Sequence, residues 1–505
     1  MLALAIISTV ILSIIILGFF GAVVSDGEGI YLGFTLMVLV IFIFQLTKKV
    51  FMKNMALIKK LKKFFTGEVV YPVTSSQAVY DTSGARLDKI LQRTIVASTS
   101  SVEDTQVDDI GLEADKVGKY TAKEINDFIA GPAFSAWWLM NNLEGWGGKN
   151  YKHWYKRQIT LQKRIIERMR EFGINPVLPG YCGMIPSNAK EKLGIDAVNT
   201  GLWCGYKRPF FILPNDSNFN RIADIYYSEQ EKLFGKAEFF AIDPFHEGGL
   251  TEGVDMREAG KTILSAMKRC NSDAVWVAQG WQGNPNREMI APIKKGDMLI
   301  LDLHSESASQ WEHYGNHDWA YCMLLNFGGN VGLHGKFDAV VNGFYDLKKD
   351  NNISLKGIGM TPEGIENNPM MFELLTELAW RDKRFGKDER IKNYVTARYG
   401  VCDTTLLKVW EILGNSIYNA PKENQQQGTH ESVFCARPSL DVKSASKWAN
   451  SEDYYNPNDI ISAAILMCDV TEKYRGNNNF EYDLTDILRQ AICEKEAYSS
   501  STKNP

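Results

Sequence analysis

Two short stretches carry carboxylates where hydrolytic chemistry can use them: Asp243-Pro244-Phe245-His246-Glu247 and Leu301-Asp302-Leu303-His304-Ser305-Glu306. Each ends an apolar run of strand length. In a parallel barrel, catalytic groups come from the C-terminal ends of the strands. Glu247 and Glu306 in one such mouth form an acid/base and nucleophile pair of the kind that cleaves glycosidic bonds. The bland reading of either glutamate alone is a solvated loop residue or half of a structural ion pair. The neighbours weigh against it. Period-two alternation puts Asp302, His304 and Glu306 on one face of their strand and the aliphatics on the other, and puts Asp243, Phe245 and Glu247 in phase. Asp243 and Asp302 then point into the barrel, where an unpaired charge is costly, so each requires a polar partner. His246 and His304 read as positioning or core histidines. No third ligand falls at a recognisable spacing, so no metal is expected, and no other cofactor.

The elements that must position these groups are legible as βα units. Strands are expected at Ile174–Tyr181, Phe239–Phe245, Ala274–Trp281, Met298–Ser305, Trp319–Phe327 and Ser354–Thr361. Helices fit between them, at Trp154–Phe172 and Ile222–Phe234, stopped by Gly173 and Gly235. From Pro369 to Ala497 the chain reads as helices alone. The expected fold is therefore α/β, a (β/α)8-type TIM barrel at 118–368 that is incomplete, followed by an all-α C-terminal domain at 369–505. A closed barrel of this type needs eight strands. About six are present, and the two missing belong at the beginning.

The charge of −4, from 56 basic and 60 acidic residues, offers no positive field for a phosphate backbone, so nucleic acid is not an expected partner. The 8 cysteines are scattered singly and read as mostly buried free thiols. Ahead of the barrel, Leu2–Val24 and Ile30–Leu46 are apolar runs near bilayer length, which together predict a transmembrane hairpin over 1–50. Lysines from Lys48 to Lys63 crowd the far end of the second run, so the positive-inside rule turns the rest of the chain toward the cytoplasm, and localisation at a membrane is expected. A start at Met52 or Met55 would delete the hairpin. Residues 51–117 read as a basic helix and an adaptor-like linker.

Over roughly residues 118–495 the chain resembles the α-N-acetylglucosaminidases, glycoside hydrolase family 89. The resemblance is carried by Gly131-Pro132-Ala133-Phe134 with Trp137, Met140-Asn141-Asn142-Leu143 with Gly145-Trp146-Gly147-Gly148, Pro176-Val177-Leu178-Pro179-Gly180, and Gln279-Gly280-Trp281. It extends through the two carboxylate stretches, Asn326-Phe327-Gly328-Gly329-Asn330 and Met360-Thr361-Pro362-Glu363-Gly364. It implies a retaining exo-hydrolase that removes terminal α-linked N-acetylglucosamine from a carbohydrate partner, with Glu247 as acid/base and Glu306 as nucleophile. It also implies a sugar pocket, whose expected walls are Trp138, Trp146, Trp203, Trp276, Trp281, Asn326 and Glu363. Met140 and Met323 read as core. Family members carry a small domain and two barrel strands ahead of Gly131, so the resemblance implies a shortened barrel. Its open edge would be covered by a homo-oligomer or a second chain. The alternative is an inactive remnant that binds sugar or serves a structural role.

Overall fold

The computed structural model describes residues 120–148, 150–325, 332–350, 352–362, 368–422 and 454–501. The expected hairpin at 1–50, the linker at 51–117, and the pocket residues Asn326 and Glu363 lie outside the described residues. No described helix is long and apolar enough to cross a membrane.

Six strands form one parallel sheet: β1 Val177–Pro179, β2 Phe239–Ala241, β3 Val275–Gly280, β4 Met298–Asp302, β5 Asp318–Met323 and β6 Leu355–Met360. They neighbour one another in chain order, with every pairing parallel. A sheet without a topological switch point is the barrel pattern, not the doubly wound one. All six expected strands are present, and most stop a few residues short of their expected C-terminal ends. Among the described residues, β1 and β6 are each paired on one side only.

Helices α1 Lys152–Glu171, α2 Ser217–Phe234, α3 Met256–Cys270 and α4 Phe337–Lys348 cover the outer face. Their ends follow from local chemistry. Asp216 and Asp255 cap α2 and α3 by accepting the backbone N–H groups of Asn218 and Glu258, and Gly235 ends α2 at φ 75°. After β3 and β4 the helices are single turns, at Arg287–Ile290 and Ser305–Ala308.

The two sheet faces are distinct. Phe240 packs its ring on Tyr227 of α2 at 5.3 Å, so the even-numbered residues of β2 face the helices. The opposite face, lined by Val277, Leu301, Ala320 and Cys322 with Val177, Phe239, Leu299 and Leu303, is the barrel interior. Asp302 is therefore corrected: it shares a face with Met298 and Ile300, not with the interior aliphatics. There it accepts hydrogen bonds from Tyr314 Oη (2.8 Å), Ser305 Oγ (2.9 Å) and Ser309 Oγ (2.5 Å). Alternation gave the phase correctly, but not which face was inner. Asp243 does point inward, where the Gln279 amide and backbone N–H bond it at 3.1 and 2.7 Å.

Between β1 and α2 the chain makes an excursion. Met184–Ile185, Phe210–Ile212 and Ala197–Asn199 form a small antiparallel sheet, beside a hairpin of Leu202–Trp203 and Tyr206–Lys207. Its two-residue loop, Cys204-Gly205, has positive φ at both positions (49° and 86°), as tight hairpins require. After β6 the described chain is helical: α5 Pro369–Leu378, α6 Lys387–Tyr399, α7 Thr404–Asn415, α8 Pro457–Asp469 and α9 Asn478–Ser501. This domain is tied to the barrel by backbone bonds from Ala420 to Gly335 (2.8 Å) and from Phe337 to Tyr418 (3.0 Å). The cysteine expectation is also corrected. All seven described cysteines are free thiols, but only Cys182 and Cys322 are buried.

Candidate active site

Strand β2 ends at Ala241, six residues before Glu247. Glu247 is therefore delivered by a turn and not by strand alternation. Phe245 (φ 59°) and Glu247 (φ 51°) both take the left-handed conformation that side chains with a Cβ adopt at a cost. Packing and hydrogen bonding hold the turn. The Phe245 ring packs on Phe211 at 4.5 Å. Arg208, fully buried, donates to the carbonyls of His246 (2.9 Å) and Glu247 (2.7 Å).

The half-buried Glu247 carboxyl receives two donors on one oxygen. Asn142 Nδ2 donates to Oε2 at 2.9 Å, and Trp203 Nε1 donates to the same atom. Burial pushes this carboxyl above the usual carboxylate range, opposed by the Trp203 bond and the Arg208 charge. A carboxyl whose pKa is raised by burial and which stays partly open is suited to act as a general acid. Trp137 lies against Trp203 at 5.8 Å, and the half-exposed Trp146 lies between Phe134 (4.4 Å) and Tyr206 (4.9 Å). These rings form an aromatic wall beside the acid. Trp281 donates its Nε1–H to His246 Nε2 at 2.8 Å, so that nitrogen is the unprotonated one. Burial pushes His246 down to about 3, which keeps the ring neutral and makes it a holder of Trp281.

Glu306 is differently placed. It is fully buried on the one-turn helix after β4, and its Oε1 accepts the backbone N–H groups of Leu324 (2.9 Å) and Leu325 (3.0 Å) beyond the end of β5. Burial pushes its pKa up to about 7, opposed by those amides and by the Lys336 charge. Among the described residues no hydrogen bond or ion pair joins Glu306 to Glu247.

Two expected wall residues do not reach the mouth. Trp276 is on the outer face of β3, fully buried, with its Nε1–H on the Ile242 carbonyl at 2.8 Å. Trp138 is fully buried edge-on against Phe128 at 5.4 Å. Both are large aromatics that close the core. Met323 is core, as expected, but Met140 is only partly buried and accepts a long contact from Gln279 Nε2 (3.8 Å). Arg208 and Asn142 escaped the residue-level reading. Their partners lie 38 to 105 residues away, and only the position of Asn142 within a family-like stretch hinted at it.

A parallel barrel sheet, a raised carboxyl at its C-terminal rim and an aromatic wall beside that carboxyl together define the glycosidase-barrel class of architecture. Within that class the chain belongs to the α-N-acetylglucosaminidase family. The family's tim-barrel domain matches residues 110–382 and its C-terminal domain residues 391–500. The chain is 32% identical to human α-N-acetylglucosaminidase over 394 residues, covering 74% of this chain and 52% of that protein. A family 89 glycoside hydrolase from Clostridium perfringens, solved with PUGNAc, matches with a TM-score of 0.71 at 32% identity, covering 81% of this chain and 45% of that one. The Clostridium enzyme has also been solved as a variant with two Glu→Gln substitutions, bound to its substrate GlcNAc-α-1,4-galactose (TM-score 0.72, 32% identity, 80% of this chain and 45% of that one). The chain thus spans about half the length of these relatives.

Proposed function

We propose that this chain is a retaining exo-glycosidase that hydrolyses terminal α-linked N-acetylglucosamine, with Glu247 as acid/base. The observation that carries this reading is the Glu247 carboxyl, held at the mouth by Asn142 and Trp203 with its protonated form favoured. In an α-linked substrate the leaving oxygen is cis to the acetamide. Attack from the opposite face must then come from a protein carboxylate. Glu247 protonates the glycosidic oxygen as the C1–O bond breaks, and then takes a proton from the attacking water.

For the nucleophile, the sequence points to Glu306, and two observations favour Glu363 instead. Glu306 is fully buried and engaged with backbone amides. The two substituted glutamates of the Clostridium enzyme are separated by nearly the spacing between Glu247 and Glu363, and by roughly twice that between Glu247 and Glu306. In sequence Glu363 comes three residues after Met360, the last residue of β6, as catalytic groups of parallel barrels follow their strands. We therefore assign the nucleophile to Glu363 and a structural role to Glu306. The test is release of 4-nitrophenol from its α-N-acetylglucosaminide. Loss of kcat by about 1,000-fold or more is expected in Glu247→Gln and Glu363→Gln, with Glu306→Gln largely active. Activity surviving in Glu363→Gln and lost in a folded Glu306→Gln would return the nucleophile to Glu306.

One observation favours a second reading, a sugar-binding barrel without turnover: β1 and β6 each have an unpaired side among the described residues. Calorimetric binding of N-acetylglucosamine by a wild type that releases no nitrophenol would support it. We propose further that a second copy of the chain covers that edge, to be read by sedimentation, and that residues 1–50 anchor it to a membrane, to be read by fractionation.

A further inference from the structure

We propose that Arg208, acting through Asn142, is a positioning residue that selects which oxygen of Glu247 carries the catalytic proton; this rests on the glycosidase reading above. Arg208 Nη1 donates to Asn142 Oδ1 at 2.8 Å and to the Asn141 carbonyl at 3.3 Å, while Nη2 holds the Glu247 carbonyl at 2.7 Å. A guanidinium offers only donors, so the Asn142 atom facing it must be the amide oxygen. That fixes the orientation of the amide. Its Nδ2 then faces Glu247 Oε2, which also receives Trp203 Nε1–H. An oxygen that already accepts two N–H donors is a poor seat for a proton. Oε1 makes no hydrogen bond among the described residues, and it is the oxygen left to bear the proton. In the forward step the Oε1–H bond breaks, the proton passes to the glycosidic oxygen, and the electron pair of the C1–O bond leaves with that oxygen. The nucleophilic carboxylate bonds to C1.

Among the described residues no carboxylate forms an ion pair with Arg208. Its role is to direct the amide and to hold the left-handed turn of the acid from beneath. Without it, the Asn142 amide is free to rotate and offer Oδ1 to a protonated Glu247. The proton would then be held by Asn142, facing away from the substrate.

The experiment compares kcat/KM for two substrates. 4-Nitrophenyl α-N-acetylglucosaminide has an acidic leaving phenol that needs little protonation, whereas GlcNAc-α-1,4-galactose expels a sugar hydroxyl that needs a full proton. Arg208→Lys and Asn142→Ala are expected to lose about 100-fold on the disaccharide and less than about 5-fold on the nitrophenyl substrate, within the range that general acid catalysis supplies. The double variant is expected to be no worse than the weaker single one, because both act on one proton. Equal losses on both substrates, or losses that multiply in the double variant, would overturn the proposal while leaving the glycosidase reading intact. A folded wild type that cleaves neither substrate would defeat the glycosidase reading itself, and this proposal with it. Should Arg208→Lys not fold, Asn142→Ala, which keeps the guanidinium and its carbonyl partners, carries the test alone.

Discussion

A carboxyl that must give up a proton near neutral pH needs an environment that disfavours its charge without immobilising it. Glu247 has that balance: burial raises its pKa, while the Trp203 bond and the Arg208 charge pull it back. The acid is active only while protonated. The alkaline limb of the kcat/KM profile is therefore expected above the ordinary carboxylate range, with activity lost as pH rises through it, which a pH series on the disaccharide will show. Glu306 illustrates the opposite case. Its folded-state pKa of about 7 exceeds that of an unfolded glutamate, so its protonated form stabilises the fold. That contribution is complete below about pH 4 and is lost as pH rises to about 7, a change on the order of 3 kcal/mol. Glu306→Gln keeps an oxygen for the Leu324 and Leu325 amides and cannot ionise. Urea melts across this pH window are expected to lose that slope in the variant.

At the scale of elements, the strands were legible because each is an apolar run bounded by turn residues. Their ends were not. Alternation was carried past Ala241 and Asp302, where the chain has already left the sheet for a left-handed turn and a one-turn helix. The orientation of β4 was missed for a related reason. Apolar side chains line both faces of a covered parallel sheet, so periodicity gives the phase without the direction. The hairpin bearing Trp203 was invisible because its loop is Cys204-Gly205, without the usual Asn or Asp signal. Two elements offer direct checks. Gly131 lies so close to the Gly147 loop that an added Cβ would sit 2.1 Å from the Gly147 carbonyl oxygen. Gly131→Ala is expected to displace the loop of Trp146 and lower the thermal midpoint, with a change in near-UV circular dichroism. In the helical domain, Asp483 accepts from Arg398 Nη2 (2.7 Å) and Tyr399 Oη (2.7 Å) in a buried cluster joining α6 to α9. Asp483→Asn leaves the buried Arg398 guanidinium with only the longer Glu373 contact (3.8 Å) as counter-charge. It is expected to cost roughly 3–5 kcal/mol by denaturant titration.

At the scale of the molecule, the sequence conveyed the barrel, its strand number and its helical partner, because composition shifts and periodic patterns are distributed along the chain. It could not convey Arg208. A guanidinium that unites residues from three separate segments leaves no local trace. The acid of this protein thus hangs from a turn whose geometry is dictated by a hairpin excursion and a buried arginine, while the sheet beneath it ends early. Mechanical duty and chemical duty are divided between different stretches of chain. A graft at the hairpin tip from Cys204 to Lys207, which spares Trp203 and Arg208, retunes which leaving groups are accepted without touching a single rung of the parallel sheet, so new specificities have a route to arise that does not risk the fold.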